Sequence, residues 1–419
     1  MKNRIPVSPE ERGALLDALR EAKKATSAHA YVRGSTRRFY GWLASSRGQS
    51  LPGAPSLWIS GDCHVGNLGL VADSAGAIAI EMRDLDQTVI GSPAHDVVRL
   101  ALSMAMAARA SSLPGAATAR LVEGLARGYE VVLEAAAAWR PFTPGRPPAQ
   151  IQALMHEAAG RTRKHLLAER LGKGSEAIPM GRRFWPLTGE ERAAVERLVA
   201  SGEVTGRALG LPDDDATVEV VDAAYWVKGC SSLGLWRVAA LVRLGEGRGR
   251  PSLALLDIKE GRQALAPHTV GAPMPAHQGE RIVDGARALS PALGERMAPA
   301  TALGRSLFVR ELLPQDLKFE LQTLGEAEAI ETAHYLATIV ALAHARQLTP
   351  DECGAWLGDF RRGNARNLHA PAWLWAAVVD LVALHEGAYL EHCREHALDG
   401  NNAPLVDADE VVSHHVTGD

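Results

Sequence analysis

Between Trp58 and Asp86 the chain reads WISGDCHVGNLGLVADSAGAIAIEMRDLD, which gathers Asp62, His64, Asn67, Asp73, Asp84 and Asp86 into one short span. Phosphoryl transfer needs oxygen ligands for Mg²⁺ and a carboxylate that can take or orient the proton of an attacking hydroxyl. One kind of phosphoryl-transfer site places its base Asp and a metal-binding Asn five residues apart on a loop, with a further metal-binding Asp on a following strand. Asp62 and Asn67 have that spacing, and Asp84 follows after a hairpin-sized interval. Asp86, two residues on, falls on the same side of an extended chain. The expectation is therefore Asp62 as base, with Asn67, Asp84 and Asp86 on the metal side. Asp73 reads as a turn residue. Two other readings compete. Asp62, His64, Asp84 and Asp86 could ligate two metals in a phosphoesterase, but that chemistry needs more downstream ligands. Only His95 stands near, and no Gly-Asn-His occurs. Alternatively, the carboxylates cap the turns of a hairpin without doing chemistry.

A phosphoryl-transfer site also needs a phosphate-holding half, and its candidates come much later in the chain. In YWVKGCSSLGLW, Gly229 and Gly234 bracket Ser231 and Ser232, so backbone N–H groups and two hydroxyls could face a phosphate. The plain alternative is an ordinary hairpin. Lys259, near the end of the apolar run SLALLDIKE, must either reach solvent or meet something anionic. Glu280 is its expected ion-pair partner, with Asp284 as fallback. The cofactors implied are ATP and Mg²⁺, and the acceptor is an unidentified small-molecule or protein hydroxyl. Arg33 either positions a phosphate or substrate or pairs with a carboxylate. His64 orients the loop or touches phosphate. His344 reads as a hydrogen-bonded core residue, with Arg346 reaching toward the site.

The elements that must carry these residues are legible in outline. Ser8-Pro9-Glu10-Glu11 is a capping box with Pro at the first helical position, predicting a helix to about Lys24. SLWIS predicts a buried strand ending at the Gly61-Asp62 turn. NLGLV and AIAIEM predict a hairpin about Asp73-Ser-Ala-Gly76. Ser92-Pro93 opens a helix so apolar that it must be buried nearly all round. Helical patterning then runs from Gly115 to about Arg170, interrupted by RPFTPGRPPAQ. Strand-like runs (TVEVVDAAYWV, LWRVAALVRL, SLALLDIKE, SLFVREL) follow, with GEGRGR as a turn, and helices return in ETAHYLATIVALAHARQL and PAWLWAAVVDLVALHEGAYLEHCREH. The expected division is a helical lobe over 1–212 that carries the loop, a β-rich nucleotide lobe over 213–322, and a second helical part over 323–419.

Composition bounds the rest. The chain has 419 residues, 47% of them hydrophobic and 22% charged, with a formal net charge of −4. That length exceeds what one core usually serves, and that charge gives no global pull toward nucleic acid or an anionic membrane. Cys63, Cys230, Cys353 and Cys393 form no CxxC pair, which argues against a zinc knuckle or disulfide framework and suits a reducing compartment. No apolar run long enough for a signal peptide or bilayer span is visible. The expectation is a cytoplasmic protein.

The region resembles the catalytic part of aminoglycoside and choline kinases, whose loop reads His-Gly-Asp-x-x-x-x-Asn, followed by a strand ending in Ile-Asp and then GDPxxDLA. This chain has SGDCHVGN, EMRDLD and GSPAHDVVRLA, with Asp96 in place of the last, structural Asp and Ser60 in place of the His. SLFVRELL resembles the strand leading into the hinge of kinase-like folds, which implies that backbone groups at Glu311 to Leu313 would meet adenine. YLATIVALAHARQL resembles the helix that ordinarily leads into that loop, yet here the loop lies at Asp62. The resemblance implies a two-lobed α+β fold of the protein-kinase-like type, circularly permuted. The whole length also resembles the bacterial domain-of-unknown-function 2252 family. The shared blocks are Arg33-Gly34, Gly61 to Gly69, Asp84 to Asp86, Asp96 to Ser103, Gly229 to Gly234, Lys259-Glu260, Gly279 to Val283, Val309 to Leu312 and Leu342 to Arg346. Cys230 and Leu235 depart from the commoner family residues, and GARALS lacks the usual Gln-Arg. That resemblance implies no substrate.

Overall fold

The computed structural model describes residues 8–111, 113–211, 217–229, 232–245, 252–317, 325–363 and 370–396. Ser231, Cys230 and most of the GEGRGR turn lie outside them. The fold is α+β with antiparallel sheets. Ten strands are present among the described residues: β1 (Leu57–Ile59), β2 (Leu68–Ala72), β3 (Ile78–Met82), β4 (Val89–Gly91), β5 (Phe184–Trp185), β6 (Thr217–Trp226), β7 (Arg237–Gly245), β8 (Ser252–Glu260), β9 (Met297–Ala302) and β10 (Arg305–Glu311). They form a six-stranded sheet ordered β5-β6-β7-β8-β10-β9 and two small pairs, β2-β3 and β1-β4.

The hairpin forms where the sequence places it. Asp73 Oδ1 accepts from the backbone N–H of Ala75 at 2.9 Å and Ala77 at 2.8 Å, closing the turn between β2 and β3. Ser8 caps the helix Pro9–Ala25 in a full capping box, and Ser92 caps the helix Pro93–Ala110. Of that second helix's 18 residues, all but three are buried. It lies in the largest core cluster, shared with the hairpin and with the helices Gly115–Ala137, Glu326–Ala345, Pro350–Phe360 and Ala372–His396. The sequence patterning had not indicated the helix Pro350–Phe360.

The six-stranded sheet is covered on both faces because its strands alternate. Ala223, Tyr225, Val238, Ala240, Leu256 and Ile258 point to one core, while Ala224, Trp226, Ala239, Leu241 and Leu255 point to the other. The first core also takes in Leu16 and Leu19 from the N-terminal helix and Val195 and Leu198 from the helix Gly189–Ala200. The second takes Leu166 and Leu171 from the helix Arg163–Leu171. Segments well before residue 213 thus pack with the sheet, so its core is larger than the stretch 213–322. Among the described residues, no helix is long and apolar enough to cross a membrane.

Candidate functional site

The Gly61–Asn67 loop is pinned by a polar stripe on an otherwise apolar helix. Asp96, Arg99 and Ser103 are spaced three and four apart, so they share one face of the helix Pro93–Ala110, and all three are fully buried. Asp96 accepts from the backbone N–H of Ser60 at 2.7 Å and Gly61 at 2.9 Å. Ser103 Oγ accepts from Val65 N–H at 3.1 Å. Arg99 Nε donates to Asp62 Oδ1 at 2.7 Å and its Nη2 to the Val32 carbonyl at 2.8 Å. Behind Asp96, His344 Nε2 lies 3.2 Å away and its Nδ1 meets the Tyr129 hydroxyl at 2.8 Å, which also accepts from Trp356 Nε1. His344 is therefore the hydrogen-bonded core residue its apolar helix suggested.

Asp62 is buried, with its second oxygen accepting from Thr36 Oγ1 at 2.9 Å. Burial pushes its carboxyl above the ordinary range, against the pull of Arg99 and Thr36. A carboxylate has about four lone-pair positions, so two bonds hold Asp62 in place and leave room for another donor. Asn67 Nδ2 donates to the Asp62 carbonyl at 2.8 Å, which closes the loop and leaves the amide oxygen as an acceptor. The β2-β3 register continues through Arg83 N–H to the Asn67 carbonyl at 2.7 Å, so Asp84 stands one residue beyond Asn67's partner.

Lys259 reaches this loop region from the other half of the chain. Its ammonium lies 3.5 Å from Asp84 Oδ1 and in closer contact with Asp86 Oδ2, although 175 and 173 positions separate them. The side chain is almost wholly buried. On β8, Lys259 and Asp257 share one face. β-Pairing sets Arg237 and Phe308 beside Lys259, and Arg310 beside Asp257. Asp257 receives a bidentate pair from Arg237 at 2.8 and 2.6 Å and further contacts from Arg310. Burial opposes ionisation of Asp257, but the two guanidiniums hold its carboxyl well below the usual range. Arg83, Asp84, Asp86, Arg237, Lys259, Phe308 and Arg310 line one cleft.

The two acidic groups in that cleft behave differently. Burial and the neighbouring Asp84 charge push Asp86 up to about 6. Burial also works against Asp84, but Lys259 outweighs it and holds that carboxyl below its ordinary range. One oxygen of Asp86 is buried without a hydrogen-bond partner. An orphaned carboxylate oxygen beside Asp84 is an oxygen donor set of the kind a hard divalent cation takes.

Several expected roles are redistributed. Glu280 is solvent-exposed on the first turn of the helix Gln278–Leu289, and Lys259's ion pairs are with Asp84 and Asp86 instead. The helix turns Glu280 outward because its neighbour Arg281 is the inward residue. Arg281 donates to the backbone carbonyls of Asp86, Thr88 and Arg262. Around Glu311 to Leu313 the backbone is already engaged: Arg296 donates to the Glu311 carbonyl, Leu312 N–H bonds Leu255, and Leu313 N–H faces Asp316 Oδ2. The Glu311 side chain pairs with Arg163. At the glycine turn, Gly229 and Gly234 have φ of 101° and 97°, conformations that disfavour any side chain. Lys23 Nζ donates to the Gly229 carbonyl at 3.1 Å, and Arg20 donates to that of Leu233. Next to this turn, Lys228 stacks on Trp226 at 4.1 Å, and burial holds its ammonium well below the usual range.

Arg33 is half-buried and makes no ion pair or hydrogen bond among the described residues. A methyl group on Gly66 would sit 3.1 Å from Arg33 Nε and 3.3 Å from His64 Cε1, so this glycine lets the guanidinium lie over the loop. His64 Nδ1 is buried without a partner, and burial keeps the ring neutral. Arg346 bonds its own helix at the Leu342 carbonyl and has Glu81 as its charged neighbour. Cys63 is a buried filler.

A bacterial family described as "Uncharacterized protein conserved in bacteria (DUF2252)" matches residues 14–395. No curated protein and no solved structure matches the chain.

Proposed function

The chain belongs to the bacterial family DUF2252, and from that footing we propose that it is an ATP- and Mg²⁺-dependent phosphotransferase of circularly permuted, kinase-like fold, acting in the cytoplasm on a hydroxyl acceptor. The observation that carries the reading is the 3.5 Å approach of Lys259 to Asp84 across 175 positions of sequence. A strand lysine and a hairpin carboxylate meet in one cleft, as a divided phosphate-and-metal site requires. The order of elements around the lysine supports it too. A glycine turn joins β6 to β7, β8 carries the lysine, and a helix precedes the last two strands of the sheet.

In this reading Asp84, Asp86 and Asn67 would hold Mg²⁺, which would neutralise charge on the phosphate oxygens. Lys259 and the glycine turn, through Gly229, Ser231, Ser232 and Gly234, hold the phosphates. Asp62 accepts the proton of the acceptor hydroxyl while the oxygen–phosphorus bond forms and ADP leaves. Its raised carboxyl makes it a stronger base than an ordinary aspartate. Arg33, lying unpaired over Gly66, supplies a further positive charge at the loop. A second reading, a nucleotide-binding regulator without transfer, is favoured by the double hold of Arg99 and Thr36 on Asp62. A two-metal phosphoesterase is disfavoured because the Arg99 guanidinium already sets a positive charge against Asp62 Oδ1, where that chemistry would need a metal cation. Transfer of AMP instead of phosphate would use the same cleft.

The test is a thermal shift with millimolar ATP, with and without Mg²⁺, on the wild type and on Asp84→Asn. The expected result is a magnesium-dependent rise in midpoint that Asp84→Asn abolishes. No shift in the wild type would falsify the reading. Turnover to ADP, to AMP or to neither then separates transferase, AMP transfer and regulator. For a transferase, Asp84→Asn should slow turnover on the order of a thousandfold.

A further inference from the structure

Far along the chain from the cleft residues, the helix Pro9–Ala25 packs against the helix Ala372–His396. There Glu21, His392 and His396 each bring a ligand atom to within 4.8 Å of the others. His392 is buried, and its Nε2 faces the Glu21 backbone carbonyl at 2.8 Å. A carbonyl only accepts, so that nitrogen carries the ring proton and Nδ1 presents its lone pair. Glu21 Oε2 lies 3.8 Å from Nδ1, beyond hydrogen-bond reach. An imidazole with one N–H tied to a backbone carbonyl and the other nitrogen free is the oriented form that metal-binding histidines adopt. His396 follows one helical turn later, which sets the two rings on one face with centroids 4.6 Å apart. Lys24 now pairs with Glu21 at 2.9 Å, and both side chains keep some solvent access. Such pairs contribute little, so an incoming cation can turn the ammonium out to solvent.

We propose that Glu21, His392 and His396 form a binding site for a divalent transition-metal cation of the zinc class. Two imidazole nitrogens and one carboxylate oxygen suit zinc far better than magnesium or calcium, and water completes the tetrahedron. The site shares no residue with the Asp84 cleft and does not depend on the function proposed for it. Its consequence is mechanical: the cation clasps the first described helix to the last. The clasped helix is the one whose Arg20 and Lys23 hold the glycine turn.

The full chain, stripped of metal and titrated with ZnCl₂ by calorimetry, provides the test. One tight equivalent is expected, and Co²⁺ should give the visible bands of tetrahedral nitrogen–oxygen ligation. His396→Ala and Glu21→Gln should each weaken zinc at least tenfold. His396 is partly exposed at a helix end, so its variant should melt like the wild type without metal. Asp84→Asn, and the pair His414→Ala with His415→Ala, should leave the affinity unchanged. Absence of saturable binding, wild-type affinity in His396→Ala, or loss confined to the His414/His415 pair would each overturn the assignment.

Discussion

One ammonium between two carboxylates sets the electrostatics of the cleft. Asp86 carries a folded pKa of about 6, against roughly 3.9 for a free aspartate. A carboxyl raised on folding contributes stability that is fully present below its unfolded value and is lost as pH rises through 6. Binding of the proposed Mg²⁺ would run the other way, because the proton on Asp86 must leave before its oxygens can ligate. Calorimetric titration with MgCl₂ should therefore give affinity about tenfold weaker at pH 5 than at pH 7, following the one-proton slope, with a plateau above. Asp86→Asn should flatten that dependence, and equal affinity at both pH values would count against it. Residue types alone made Asp62, Asn67, Asp84, Asp86 and Lys259 legible as candidates. The partners of Asp62 were less so. Arg99 and Thr36 are ordinary residues whose role depends on a fold that brings residues 36, 62 and 99 together.

At the scale of elements, the caps and turns were readable because their chemistry is local: Ser8, Ser92 and Asp73 bond within four residues of themselves. The polar stripe Asp96, Arg99 and Ser103 was a readable signal whose meaning was not. Charged residues at helical spacing inside a buried helix must meet partners, but the sequence does not say which loop supplies them. Strands β5 and β9 escaped notice because they are short or lack alternation, and they pair only because β6 and β10 offer edges. Opposite charge points to Glu280, with Asp284 as fallback, but it is blind to helix facing, which turns Arg281 inward instead. Close helix packing gives a prediction at this scale. A methyl at Gly128 would lie 2.1 Å from the His334 carbonyl oxygen, where the helices Gly115–Ala137 and Glu326–Ala345 touch. Gly128→Ala should cost about 2–3 kcal/mol, read as a lower urea midpoint at unchanged slope. A midpoint equal to the wild type would show that the helices can part at little cost.

For the whole molecule, the cleft is assembled from pieces that the chain delivers far apart, and the N-terminal helix braces the sheet that carries Lys259. Leu16 and Leu19 sit in the core of the sheet, Arg12 pairs with buried Glu191 at 2.8 Å, and Arg20 and Lys23 hold the glycine turn. That Asp84 and Lys259 meet across 175 positions agrees with expecting one cleft from distant segments, but the brace was not legible, since nothing in a capping box says what its helix will lean on. Replacing Arg20 and Lys23 together by Ala should weaken nucleotide-dependent stabilisation about tenfold in affinity, within the range for charged hydrogen bonds. Ligand-free melting should fall as well, since both bonds are present without ligand, and an undiminished ATP affinity would remove the brace from the binding function. Lys259 has a consequence of its own. Because its ammonium already sits against Asp84 and Asp86, the cleft carries a built-in counter-ion, and under the proposed function it would work by ion exchange. A divalent ion entering it would release the lysine side chain toward whatever anion arrives with the metal. Loading the metal and arming the lysine would then be a single event, and the fold itself would need no magnesium to stay closed.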